Sequence, residues 1–266
     1  MPDTQANGHD DDAMTDAAAV SNPLEPVTED WQRALAIVAH PDDLEFGAAA
    51  AVARWTQQGK EIVYVLLTSG EAGIDGMDPA EAGPVREAEQ RESASIVGVS
   101  RVDFLGYPDG VLEYGIPLRR ELCRVIRSVQ PDIVLTNNLR ESWDEAGRAL
   151  NMSDHVVTGR ATLDAVRDAA NRWVFREQIE HDGLERWGGV RQVWTSGSPR
   201  STHGVDTTDT FALGVRSLEA HGVYLRGLGS GGFDAEEFLQ GFARPTGTRL
   251  GTKFATSFEV FDLGLY

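Results

Sequence analysis

With 266 residues and 41% hydrophobic content, this chain can bury one sizeable core, and its net charge of -18 argues against nucleic acid and anionic membrane as partners. Cys123 is the only cysteine, which excludes an internal disulfide and any multi-thiolate metal site, so a bound metal would rest on His, Asp or Glu. The first 30 residues hold eight acidic side chains and no Lys or Arg. Such a segment cannot bury enough apolar area to offset its ordering entropy, so residues 1–28 are expected to be a disordered acidic tail and residues 29–266 a single domain. No basic region followed by an apolar stretch opens the chain, and no apolar run approaches the ~20 residues that span a bilayer. The expected location is the cytoplasm, and the oligomeric state, including a homo-oligomer, is left open.

The elements alternate as in an α/β fold with a mostly parallel sheet. Residues 34–39 read as a buried strand, followed by a helix to Gln58 that Asp42 or Asp43 can cap and Gly59 stops. Residues 62–67 form the second strand, ending in the glycine-bearing loop 68–73. The segment 84–97, rich in charge and alanine, reads as a largely solvated helix, and 102–105 as the third strand. Leu118, Leu122, Val125, Ile126 and Val129 recur at helical spacing, Pro131 breaks that helix, and 133–136 supplies the fourth strand. Cys123 on this helix reads as a core filler. After a polar stretch, a helix is expected from Asp154 to about Asn171. Signals then weaken: a strand at 192–195, a helix at 208–220, a flexible glycine-rich loop at 227–232 and an extended segment at 252–263.

His40-Pro41-Asp42-Asp43-Leu44 follows the first strand, and ligands of open α/β sheets bind outside the carboxyl ends of strands. His40 and Asp43 can converge on one point, with Asp42 leaning over a bound water. A catalytic zinc site wants a third protein ligand and keeps one position for water or substrate; His155, at a helix start after the fourth strand, is the candidate. His, Asp and His suit zinc and also accept Fe, Mn or Co. The residues alone leave a blander reading open, in which the aspartates are helix caps and His40 a turn residue. His9 lies in the tail and His181 reads as an exposed loop residue. Trp143, Trp173, Trp187 and Trp194 could stack on a sugar, although core burial accounts for most tryptophans.

His40-Pro41-Asp42-Asp43, Thr68-Ser69-Gly70-Glu71-Ala72-Gly73, the helix Arg86 to Glu92, Tyr107-Pro108-Asp109-Gly110 and Asp154-His155 resemble, in order, the signature of the LmbE-like or PIG-L zinc deacetylases. The resemblance covers residues 34–170 well and the rest loosely. It implies a Rossmann-like fold and metal-dependent removal of an N-acetyl group from a small amino-sugar conjugate. By motif, His40, Asp43 and His155 are the implied zinc ligands and Asp42 the general base; Glu71, Arg86 and Asp109 are the implied sugar contacts. Where many members carry His-Pro-Asp-His, this chain has Met152-Ser153-Asp154-His155, so the histidine that stabilises the oxyanion is replaced by a thioether, which donates no hydrogen bond. His221, in a helix resembling the family's C-terminal one, is the expected substitute, with His203 a weaker one; packing is the other reading of His221. An amidase for a larger acyl group and a non-catalytic metal-binding homologue remain alternatives.

Overall fold

A computed structural model of the chain describes residues 22–229 and 232–263. The strands are β1 (Glu25–Pro26), β2 (Arg33–Val38), β3 (Glu61–Leu66), β4 (Arg101–Phe104), β5 (Ile133–Thr136), β6 (Gln192–Ser196), β7 (His203–Asp206) and β8 (Ala255–Asp262). The helices are α1 (Asp43–Gly47), α2 (Ala49–Gln57), α3 (Pro79–Ile96), α4 (Ile116–Val129), α5 (Ser153–Ala170), α6 (Glu177–Glu180), α7 (Phe211–Glu219), α8 (Gly222–Gly227) and α9 (Ala235–Leu250). One sheet runs β1-β7-β8-β6-β5-β2-β3-β4, parallel except that β8 is antiparallel to both β6 and β7. This is the mostly parallel α/β architecture expected from the sequence.

β2 lies between β3 and β5, so its successive residues face two different cores. Ala34, Ala36 and Val38 point to a layer containing Trp31, Trp55, Trp194 and Phe258. Leu35, Ile37 and Ala39 point to α4 and α5, where Leu122, Cys123, Ile126, Ala161 and Ala165 are buried. Small residues on one face make room for the three tryptophans, whose ring centroids lie 5.4–6.2 Å apart. Burial pushes the Cys123 thiol up to about 12, which suits the core role expected of it. β2 and β5 also form the topological switch point, because the chain moves to β3 on one side and returns to β5 on the other.

Several expectations change. Of the acidic tail, residues 1–21 lie outside the described residues, whereas Leu24 and Val27 are buried and β1 pairs with β7. The first helix is broken at Ala48 into α1 and α2; Asp42 occupies the N-cap position of α1, as expected for one of the two aspartates, but makes no side-chain cap bond. α3 begins at Pro79, five residues before the expected start, because Asp78 accepts from Ala80 N. Nor is α3 largely solvated, since Arg86, Glu89, Gln90 and Ser93 are buried. In the expected glycine loop, Gly227 closes α8 and residues 230–231 lie outside the described residues. Among the described residues, no helix is long and apolar enough to cross a membrane.

Candidate metal centre

The turn after β2 carries His40, Asp42 and Asp43, and the first turn of α5, after β5, carries Asp154 and His155. The two turns meet at the switch point. His155 Nε2 lies 2.9 Å from Asp43 Oδ1 and 3.3 Å from His40 Nδ1, and His40 Nδ1 lies 3.7 Å from Asp43 Oδ2. A tetrahedral ion with bonds of ~2.0–2.1 Å needs ligand atoms ~3.3–3.4 Å apart, and the three observed separations bracket that value.

The partners behind the two imidazoles decide which nitrogens face inward. Asn151 donates through Nδ2 to the carbonyls of Asn138 and Arg140, so its Oδ1 is turned to accept from His155 Nδ1 at 3.1 Å. His155 Nε2 is then bare. On His40, Nε2 faces Asp109 Oδ1 at 3.2 Å and Asp154 Oδ2 at 3.3 Å, both acceptors, so it carries the hydrogen and leaves Nδ1 bare. Two lone pairs and the Asp43 carboxylate therefore converge in a buried space, an arrangement that a cation satisfies and a proton satisfies only in part. Burial opposes charging of His40, but Asp43, Asp109 and Asp154 outweigh it and push the ring up to about 12. Burial likewise opposes ionisation of Asp43, yet His155 and His40 hold it well below the usual carboxylate range.

Asp42 faces a different neighbour. Its backbone adopts φ 90°, the left-handed region, which turns the carboxylate away from α1 and toward α3. There Arg86 Nη2 donates to Asp42 Oδ2 and to Pro41 O, both at 2.6 Å, and Nη1 to Gly70 O at 2.9 Å. Gln90 Oε1 accepts from Asp42 N. Burial pushes Asp42 up to about 7, with Asp43 adding to the rise and Arg86 opposing it. Tyr224 lays its ring over the Arg86 guanidinium at 4.0 Å and lines the cavity above Asp42; burial and the Asp42 charge hold its phenol protonated.

The structure thus brings His40, Asp42, Asp43, His155, Arg86 and Asp109 to one cavity. Arg86 is engaged with Asp42 and backbone carbonyls, and Asp109 accepts from Ala72 N and faces His40; Glu71 accepts from Asp109 N and does not line the cavity. His221 is 0% exposed beneath it, its Nε2 3.6 Å from Glu45 Oε2, and does not reach the space beside Met152. His203 is on β7 near Glu25, away from the cavity. Met152, 53% exposed, lines the mouth with Trp143, whose ring meets His155 edge-on at 5.6 Å. Trp194 is buried in the layer of Trp31 and Trp55, Trp187 packs against the other layer, that of Leu122 and Ala165, and Trp173 is 72% exposed outside the cavity. Sequence reasoning missed Asn151, Gln90 and Tyr224, and read Asp154 only as a neighbour of His155. The spacing of Asn151 four residues before His155, across the first turn of α5, was the available signal.

Comparison with known proteins fits this geometry. The chain is 37% identical over 108 residues to a diacetylchitobiose deacetylase of Thermococcus kodakarensis, covering 40% of each chain. It is 30% identical over 172 residues to a mycothiol S-conjugate amidase of Streptomyces coelicolor, covering 56% of each. The chain thus spans about half the length of these curated relatives. The structure of N,N'-diacetylchitobiose deacetylase from Pyrococcus horikoshii superposes with a TM-score of 0.78 at 24% identity, over 91% of this chain and 87% of that one, a likeness of fold. Residues 35–166 match the family described as PIG-L: GlcNAc-PI de-N-acetylase, and that segment contains all three ligand candidates and Asp42; the chain belongs to the PIG-L, or LmbE-like, family.

Proposed function

We propose that this chain is a zinc-dependent N-deacetylase that hydrolyses the N-acyl group of an amino-sugar conjugate, with His40, Asp43 and His155 holding the ion. The observation that carries the reading is the convergence of His40 Nδ1, His155 Nε2 and the Asp43 carboxylate within 3.7 Å of one another, beside a buried carboxylate held by Arg86. The names of the relatives, a diacetylchitobiose deacetylase and a mycothiol S-conjugate amidase, support the substrate class.

Bound there, zinc supplies Lewis acidity toward water and the amide carbonyl. Asp42 takes a proton from the attacking water and returns it to the amine nitrogen as the C–N bond breaks; its burial raises its affinity for that proton. Arg86 fixes the carboxylate in place. Tyr224, a neutral phenol lining the same cavity, can donate to the developing oxyanion where Met152 cannot. Glu71 and Asp109 order the loop edge on which the sugar rests.

Turnover of N-acetylglucosamine conjugates by the zinc-loaded protein, compared with Asp42→Asn, tests this. The substitution is expected to lower kcat by ~10²–10⁴ while zinc content stays at one per chain. Undiminished hydrolysis in Asp42→Asn overturns the mechanism.

A further inference from the structure

The cavity that contains the metal ligands has a volume of about 590 Å³, and its two ends differ in chemistry. Toward β3 and β4 it is bounded by Gly73, Arg86 and Asp109. On the side of α7 and α9 the lining includes Phe46, Phe211, Phe238, Leu239, Phe242 and Ala243, while the ends of β6 and β8 add Ser196, Thr256 and Ser257. In the sheet order β2 stands between these two sides, so its ligands divide the cavity. An amide bound at His40, Asp43 and His155 has one substituent on each side.

The aromatic side begins close to the chemistry. Phe46 is one helical turn beyond Asp43 in α1, and its ring lies 5.3 Å from Phe238, which lies 5.1 Å from Phe242. The three rings form a run from the donor edge to solvent, where Phe242 is 63% exposed. α7 approaches α2 closely at Gly214, where an added Cβ would come within 2.9 Å of Ala50 Cβ, and both residues line the cavity. Ala49 and Ala50 add no bulk. An acetyl methyl would leave this wall in water, whereas an alkyl chain would cover it. Moreover, Phe211, Phe238, Phe242 and Ala243 fall outside the segment matched by the family, residues 35–166, which holds the ligand candidates.

We propose that this wall is an acyl subsite, and that the chain removes a medium-length, unbranched fatty acyl group from the amino sugar in preference to acetyl. The inference rests on the hydrolase reading above. Water adds its hydroxyl to the acyl carbon, the C–N bond breaks, the proton passes through Asp42 to the nitrogen, and the products are a fatty carboxylate and the free amino sugar. The sugar remains on the Asp109 side, and the chain lies along Phe46, Phe238 and Phe242.

Three probes test it: N-octanoylglucosamine, N-acetylglucosamine and the octyl glycoside of N-acetylglucosamine. Each methylene buried contributes about a fourfold gain. With zinc-loaded protein, kcat/KM for the octanoyl amide is expected to exceed that for the acetyl amide by at least tenfold. Calorimetry on the metal-free protein is expected to show the same order of preference in binding. Phe242→Ser, a surface change that costs little stability, is expected to lower the octanoyl-to-acetyl ratio severalfold, and Ala243→Trp, which narrows the channel, to lower it further. Equal or better hydrolysis of the acetyl amide overturns the subsite, as does a preference confined to the octyl glycoside, which would assign the wall to the sugar's other end. If no amide is hydrolysed, the hydrolase reading fails, and the metal-free binding order alone decides whether the wall takes an acyl chain. Retention of the full octanoyl preference in Phe242→Ser, with Ala243→Trp either unchanged or unfolded, also overturns it.

Discussion

At the donor edge of the cavity each proposed ligand has a fixed partner behind it: Asn151 behind His155, Asp109 and Asp154 behind His40, and the His40 amide against Asp43. At the opposite wall, Phe46, Phe238 and Phe242 meet one another through ring faces and edges, with solvent on the far side. One region is held atom by atom through directional bonds; the other is held by contact area. Coordination and proton transfer tolerate displacements of a fraction of an ångström, whereas binding an alkyl group needs only shape and dryness. The contrast also follows the chain. The directional region is built from residues 40–155 and the contact-area wall largely from α7 and α9.

Single substitutions should therefore be severe at the edge and mild at the wall. Asp43→Asn, which removes the only anionic ligand, is expected to weaken zinc retention by more than ~100-fold, beyond what loss of a partner behind a ligand costs. Metal analysis after desalting checks this, and the zinc-dependent rise in thermal midpoint should vanish with it. Asp154→Ala leaves the ligand set intact but removes one of the two acceptors at His40 Nε2 and frees the amides of Gly110 and Leu112; zinc affinity should fall by ~10–100-fold in a competition titration. Phe238→Ser should change zinc affinity less than twofold and cost ~1–2 kcal/mol in denaturant unfolding, its main effect appearing in acyl-chain preference. A wall substitution that damaged zinc binding as much as Asp154→Ala would erase the distinction between the two regions.

The same contrast explains what was legible in the sequence. His40, Asp42, Asp43 and His155 were legible because their residue types stand out at strand ends, where apolar runs stop. α3 read as solvated because its buried stripe, Arg86, Glu89, Gln90 and Ser93, is polar, so the helix shows no apolar periodicity although one face is covered. Asn151 and Asp154 look like ordinary helix-start residues until the fold sets them behind two imidazoles. α9 passed unnoticed because Gly241, Pro245 and Gly247 interrupt its pattern; tertiary contacts with α7 and β8 sustain it. β7 is four residues with a glycine, too short to announce itself. His221 was found by position in a motif, but position along a helix does not say on which side of a cavity wall a ring will lie.

Asp154 has a consequence for motion. Its two oxygens serve three donors: His40 Nε2, Gly110 N and Leu112 N. A cation on His40 Nδ1 draws electron density through the ring and makes Nε2–H the stronger donor, which tightens the carboxylate that also tethers the 109–112 loop. Amide hydrogen exchange at Gly110 and Leu112 should slow severalfold on zinc binding, while amides in α9 keep their rates. One shared carboxylate would then let a backbone loop report whether the ion is in place.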